Sequence, residues 1–107
     1  ALPGQWELVT DPAFRFGKGA VSASPDSRAK WNIDGSGFTL YAPVGPEYGK
    51  ARAYVNGKDA GLLDFHAEQA GAARAVLKQS GLKDARNALV IKVVEGRVPL
   101  DSIEVHD

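Results

Sequence analysis

Three observations predict an all-β domain, a two-sheet antiparallel sandwich or jelly roll. First, Gly37 to Phe65 reads as three extended runs, broken by the Pro/Gly-rich connection Pro43-Val44-Gly45-Pro46 and by Asn56-Gly57. Second, turn signals recur roughly every eight to twelve residues, giving about seven to nine short strands. Third, the breaks at Pro25, Pro43, Pro46 and Pro99, with alternation between them, argue against any long helix.

The elements follow from alternation. Ala1 to Gln5 reads as a lead-in, with Trp6, Leu8 and Phe14 as the first anchors expected in the core. Gly17-Lys18-Gly19 reads as a flexible point before a short strand at Ala20–Ala23, which Ser24-Pro25-Asp26-Ser27 ends. From Arg28 to Ile33, Ala29, Trp31 and Ile33 alternate with Arg28, Lys30 and Asn32, which predicts a strand with Trp31 buried. Asp34-Gly35-Ser36-Gly37 is expected to make a tight return. In the next strand Phe38, Leu40 and Ala42 face inward on a half-buried sheet, and Pro43-Val44-Gly45-Pro46 is expected to stop it.

Ala51, Ala53 and Val55 define another inward face, with Arg52 and Tyr54 opposite, and Asn56-Gly57 suits a twisted hairpin turn. The return strand, Asp59 to His66, contains the adjacent pair Leu62 and Leu63. One of these must leave the core, or a bulge must intervene. Leu63 and Phe65 are placed inward, Asp64 and His66 outward. Glu68 to Gly71 is a loop. Ala72 to Gln79 has helix-forming composition, but Gly71 and Gly81 leave little room for a helix, and a strand is favoured. Leu82 plugs the core from a turn. Leu89–Val94 is the clearest strand, Glu95-Gly96 turns it, and Leu100, Ile103 and Val105 carry the last one.

Composition narrows the function classes. The 107 residues fit one domain, expected to be a module excised from a larger protein; the lack of an initial methionine suits either that or a mature chain. Thirteen basic and thirteen acidic residues give a net charge of zero, which argues against a nucleic-acid partner. No apolar run approaches membrane-spanning length, so no membrane insertion is expected, and no stretch reads as a signal peptide. With no cysteine there are no disulfides, thiolate metal sites or cysteine nucleophiles. Gly17-Lys18-Gly19 lacks the strand-loop-helix setting of a phosphate cradle. Asp34, Glu47, Asp64, Glu68, Asp101 and Glu104 are scattered, and nothing fixes any two as an acid/base pair. His66 and Asp64, about 7 Å apart along one strand face, are too few for a metal site, and His106-Asp107 reads as terminal surface. The chain is expected not to be an enzyme.

Phe38-Thr39-Leu40-Tyr41, Gly45-Pro46, Tyr48-Gly49-Lys50-Ala51, Tyr54-Val55-Asn56-Gly57 and Leu63-Asp64-Phe65 resemble the galactose-binding-like jelly-roll modules. So do Arg74–Leu77, Gly81-Leu82, Leu89-Val90-Ile91 and Leu100–Val105, and the likeness spans most of Ala20 to Val105. Two positions depart from the family pattern. Asn56 stands where an aspartate is usual, and Asn87-Ala88-Leu89 where histidine-threonine-leucine is usual.

The resemblance implies a non-catalytic carbohydrate-binding module of a bacterial carbohydrate-active enzyme, in a secreted, periplasmic or cell-surface setting. Its partners would be a saccharide or polysaccharide and a neighbouring catalytic domain in the same polypeptide. No cofactor is expected, although such modules often hold a structural calcium. Asp26, Asp34, Asp101 or Asp107 would supply its oxygens, but no compact aspartate-rich loop singles them out. Sugar recognition needs an exposed aromatic surface framed by polar groups. Tyr48, Tyr54, Arg52, Tyr41, Asp64 and His66 are the candidate ligand-binding residues. The alternative is a bracing domain, in which these side chains cover a sheet face or dock a neighbour.

Overall fold

The computed structural model describes residues 6–10, 12, 14, 17–82 and 85–106. The lead-in at Ala1–Gln5, Phe16 and Asp107 therefore lie outside the described residues. Ten strands are present among those described: β1 (Glu7–Thr10), β2 (Lys18–Ser22), β3 (Arg28–Gly35), β4 (Gly37–Val44), β5 (Lys50–Val55), β6 (Lys58–Asp64), β7 (Gly71–Gln79), β8 (Ala85–Glu95), β9 (Val98–Leu100) and β10 (Ser102–His106).

They form three antiparallel sheets, ordered β3-β8-β5-β6, β10-β4-β7 and β1-β2-β9, in a sandwich-like arrangement. The residues whose alternation reads inward make one core. Ala29, Ile33, Ala51, Ala53, Val55, Leu63, Leu89, Ile91 and Val93 from the four-stranded sheet cluster with Phe38, Leu40 and Ala42 of β4 and with Phe65, Val98 and Leu100. Leu63 and Phe65 are buried while Leu62 is exposed, and Leu82 packs against the cluster from its turn. The helix-prone segment before Gln79 is a strand, held by pairing with β4.

Six expectations are corrected. β4 does end within Pro43–Pro46, but Pro43 and Val44 still belong to the strand. Pairing with β10 stops at Tyr41, and pairing with β7 steps from Ala42 to Val44, so the missing N–H of Pro43 interrupts no ladder. β4 is buried on both faces rather than half-buried: Thr39 is 4% exposed, and its hydroxyl shares a 3.0 Å hydrogen bond with the His106 ring. His106 is thus part of a sheet rather than terminal surface.

Asp34–Gly37 carries the chain from one sheet to another and makes no hairpin. Lys18 and Gly19 belong to β2. Gly19 packs directly against the Phe14 ring, and a side chain there would also press on the Leu100 carbonyl oxygen, at 2.7 Å. Finally, the last apolar run divides at Asp101. Leu100 is buried on β9, which joins β2, whereas Val105 is exposed on β10, which joins β4.

Asn56 (φ 53°) and Gly57 (φ 81°) form the two-residue turn between β5 and β6, both in the left-handed region that such turns demand. The Asn56 side chain reaches β8, where its oxygen accepts the Ala88 N–H at 2.8 Å and its amide donates to Asn87 Oδ1 at 2.9 Å. Buried Asn87 in turn donates to the Gly35 carbonyl at 2.9 Å, tying β8 to β3. Asn56 and Asn87 are therefore bonded to each other, a neutral pair that ties the β5–β6 turn to β8.

Candidate functional site

Outward parity on β5 presents Lys50, Arg52 and Tyr54, each half-buried between β6 and β8. Tyr54 lines a depression of about 380 Å³ with Arg28, Gly57, Val90 and Lys92. Most charges on this face are balanced. Arg52 Nη1 lies 2.8 Å from Asp59 Oδ2, Lys50 Nζ 3.6 Å from Glu95, and Lys92 Nζ 3.2 Å from Asp26 Oδ1. Asp64 shares this sheet as the residue opposite Lys50. Its carboxylate accepts the His66 N–H at 3.0 Å, which holds the turn beyond β6 and leaves His66 exposed.

The other candidates lie elsewhere. Tyr41 is on β4, between Ser102 and Ala75 of the neighbouring strands. Tyr48, expected to stand open in its loop, is half-buried against the core; it forms a bridge with Arg97 and lines a second depression, of about 300 Å³, with Pro43, Glu47 and Gly71. The structure therefore brings Arg52, Tyr54 and Asp64 onto one sheet, with His66 just past its edge, and separates Tyr41 and Tyr48 from them. Arg28 and Lys92, which complete the surroundings of Tyr54, escaped selection from sequence. Their outward parity was visible, but the pairing of β3 with β8 that sets them side by side was not.

A larger groove, of about 590 Å³, runs along the small sheet and is lined by Leu8, Thr10, Lys18, Trp31, Leu100 and Asp101, among others. Two expectations are corrected here. Trp31 shares the inward face of Ala29 and Ile33, but β3 is an edge strand and β1-β2-β9 is a separate sheet, so its indole is half-buried. Leu8, expected as an anchor, is 83% exposed at the groove; of the other first anchors, Phe14 is buried and Trp6 donates its indole N–H to the Arg28 carbonyl at 3.1 Å. Because Trp31 is only half-buried, Trp31→Ala should cost about 2 kcal/mol rather than the 3–5 kcal/mol or so typical of a fully buried aromatic. Urea unfolding followed by circular dichroism checks this, and a loss as large as a core aromatic's would show the groove closed in solution.

Of the candidate calcium carboxylates, Asp26 and Asp34 do not share one ion, and Asp107 lies outside the described residues. Asp26 lies in the turn before β3 and Asp34 near the strand's far end, about 20 Å beyond Arg28 by strand rise, and they pair with Lys92 and Arg86 respectively. Among the described residues no group of three or more His, Cys, Asp or Glu side chains is placed to hold a metal. No helix of the described residues is long and apolar enough to cross a membrane.

No family model matches this chain, and no curated protein matches it in sequence. Solved structures do share its fold. A Paenibacillus xanthan lyase matches over 100% of this chain, with a TM-score of 0.72 and 13% identity, using 12% of its own length. An exo-β-1,3-galactanase from Phanerochaete chrysosporium, solved with β-1,3-galactotriose, matches over 94% at a TM-score of 0.71 and 19% identity, using 26% of its length. A family two carbohydrate esterase from Clostridium thermocellum, in complex with cellohexaose, matches over 92% at 0.61 and 18% identity, using 30% of its length. The chain thus spans under a third of each of these proteins. What is shared is an all-β domain found as a portion of carbohydrate-active enzymes.

Proposed function

We propose that this chain is a single jelly-roll domain, a non-catalytic module of a larger secreted or cell-surface carbohydrate-active enzyme, and that it binds saccharide on its four-stranded sheet. One observation carries this reading: a tyrosine, Tyr54, sits in a concave spot on an outward sheet face with cationic donors around it. A pyranose presents an apolar face that packs on an aromatic ring, and hydroxyls that accept from guanidinium and ammonium groups. Arg52 extends the donor set. Asp64 and His66 lie toward the far edge, where they would meet a longer chain, and Tyr41 and Tyr48 would serve only a ligand bound elsewhere. The fold shared with portions of carbohydrate-active enzymes supports the setting.

A saccharide array followed by calorimetry tests the proposal. Tyr54→Ala should weaken binding by about tenfold or more, the effect of losing one stacking aromatic, while the thermal midpoint stays nearly unchanged. Binding that survives Tyr54→Ala intact would move the site elsewhere. The second reading, a bracing domain, is favoured by exposed Leu8 beside the groove at Trp31. It gains ground if no glycan binds and the domain associates tightly with the adjoining catalytic domain of its parent chain.

A further inference from the structure

Arg28 of β3 stands directly opposite Lys92 of β8, and Lys92 stands directly opposite Arg52 of β5. Three cations therefore form one row across three adjacent strands. Opposed side chains in an antiparallel pair have Cβ atoms about 4.5–5.5 Å apart, and like charges there are destabilising. Asp26 offsets Lys92 and Asp59 offsets Arg52. The exposed Arg28 guanidinium has no carboxylate partner among the described residues. The next row adds exposed Lys30, opposite Val90, which is itself opposite Tyr54. Both rows border the depression that Arg28, Tyr54, Val90 and Lys92 line.

A chain whose acidic and basic residues balance overall has thus placed an uncompensated charge where sheet pairing disfavours it. Local rules are broken in this way at positions kept for a ligand. We propose that the depression binds an acidic saccharide, a sugar chain bearing carboxylates. The saccharide's apolar face rests on Tyr54 and Val90, and its carboxylate accepts from the Arg28 guanidinium and the Lys92 ammonium. The planar guanidinium fork matches a carboxylate with two parallel hydrogen bonds. An inorganic anion would leave the apolar part of the depression unused, and a nucleic-acid duplex needs a broader cationic surface than one row. The inference rests on the saccharide-binding reading and narrows it to a class of sugar.

The test is calorimetry with oligogalacturonate and with the same oligosaccharide after carboxyl reduction. The acidic form should bind about tenfold tighter than the neutral one, as for a charge-assisted hydrogen-bonded pair, and the difference should shrink as salt screens the site. Arg28→Gln should remove that tenfold advantage, weaken binding of the neutral form far less because only a neutral hydroxyl contact is lost, and leave the thermal midpoint equal or higher, because it relieves the cation row. Equal affinity for both forms overturns the acidic specificity while leaving saccharide binding in place. Binding of neither form overturns the acidic-saccharide assignment, and saccharide binding falls with it where the array also gives no hit. Tighter binding of a sulfated galactan overturns the carboxylate assignment, and tighter binding of duplex DNA overturns the choice of ligand class.

Discussion

Phe65→Ala should destabilise the domain by about 3–5 kcal/mol, the cost of emptying a fully buried aromatic site. Phe65 has no exposed surface, and it does more than fill volume. Its N–H donates to the Gly49 carbonyl at 2.9 Å, and its own carbonyl accepts the Gly45 N–H at 3.0 Å. Removing the ring therefore opens a cavity under the connection between β4 and β5, which its backbone holds in place. For a domain of ordinary marginal stability, little folded protein would remain at growth temperature. Chemical unfolding of the wild type and of Phe65→Leu gives the comparison. Phe65→Leu should recover more than half of the loss, and an alanine variant within about 1 kcal/mol of the wild type would show that the site collapses or fills with water.

Gly49→Ala should approach that effect by the opposite route, overpacking. A Cβ on Gly49 would overlap the Glu95 carbonyl oxygen and lie 2.8 Å from the Cα of Gly96. These are backbone atoms, which no rotamer change can move aside. The Gly49 N–H donates to the Arg97 carbonyl at 2.7 Å, and its carbonyl accepts from Phe65, so the residue is pinned on both sides. The expected cost is at or above the upper end of the about 1–3 kcal/mol typical of overpacking. Gly57→Ala is a useful contrast, since its added Cβ meets nothing within 4 Å and only the positive φ opposes it. If Gly49→Ala proves the milder of the two in denaturant titrations, the β4–β5 connection has slack that this packing denies it.

What the sequence made legible was local. Ala51, Ala53 and Val55 against Arg52 and Tyr54 gave both faces of β5, because alternation is a property of consecutive residues. Asn56-Gly57 gave the hairpin, because its dihedral requirements are met within the turn itself. Leu63 and Phe65 face inward only because the β5–β6 register shifts between Ala53 and Tyr54; parity counted from the Asn56-Gly57 turn alone would have put Leu62 inward. The partition into three sheets was not legible, because it depends on which distant strand each one pairs with. Asp101 hands the chain from one sheet to another, and nothing in Leu100-Asp101-Ser102 announces that switch. The same limit hid Arg28 from the candidate site. Its closeness to Lys92 and Tyr54 follows only from the register of β3 on β8 and of β8 on β5. Trp31 was read correctly in direction and wrongly in depth, since burial at an edge strand depends on what lies beyond the edge.

The pairing order also bears on how the chain reaches this state. Only a two-residue turn separates β5 from β6, whereas Arg28 must find Lys92 and Phe38 must find Val105 across most of the chain. Closing such long loops costs entropy before any contact offsets it, and folds dominated by distant pairings form on the millisecond-to-second scale. The β5–β6 hairpin is the element able to form early, and β8 must then arrive to cover it, bringing the Asn56–Asn87 bond into being. Until it does, the β8-side edge of β5 is left with unpaired backbone groups along its whole length. A newly made chain would be most vulnerable to misassociation in that interval.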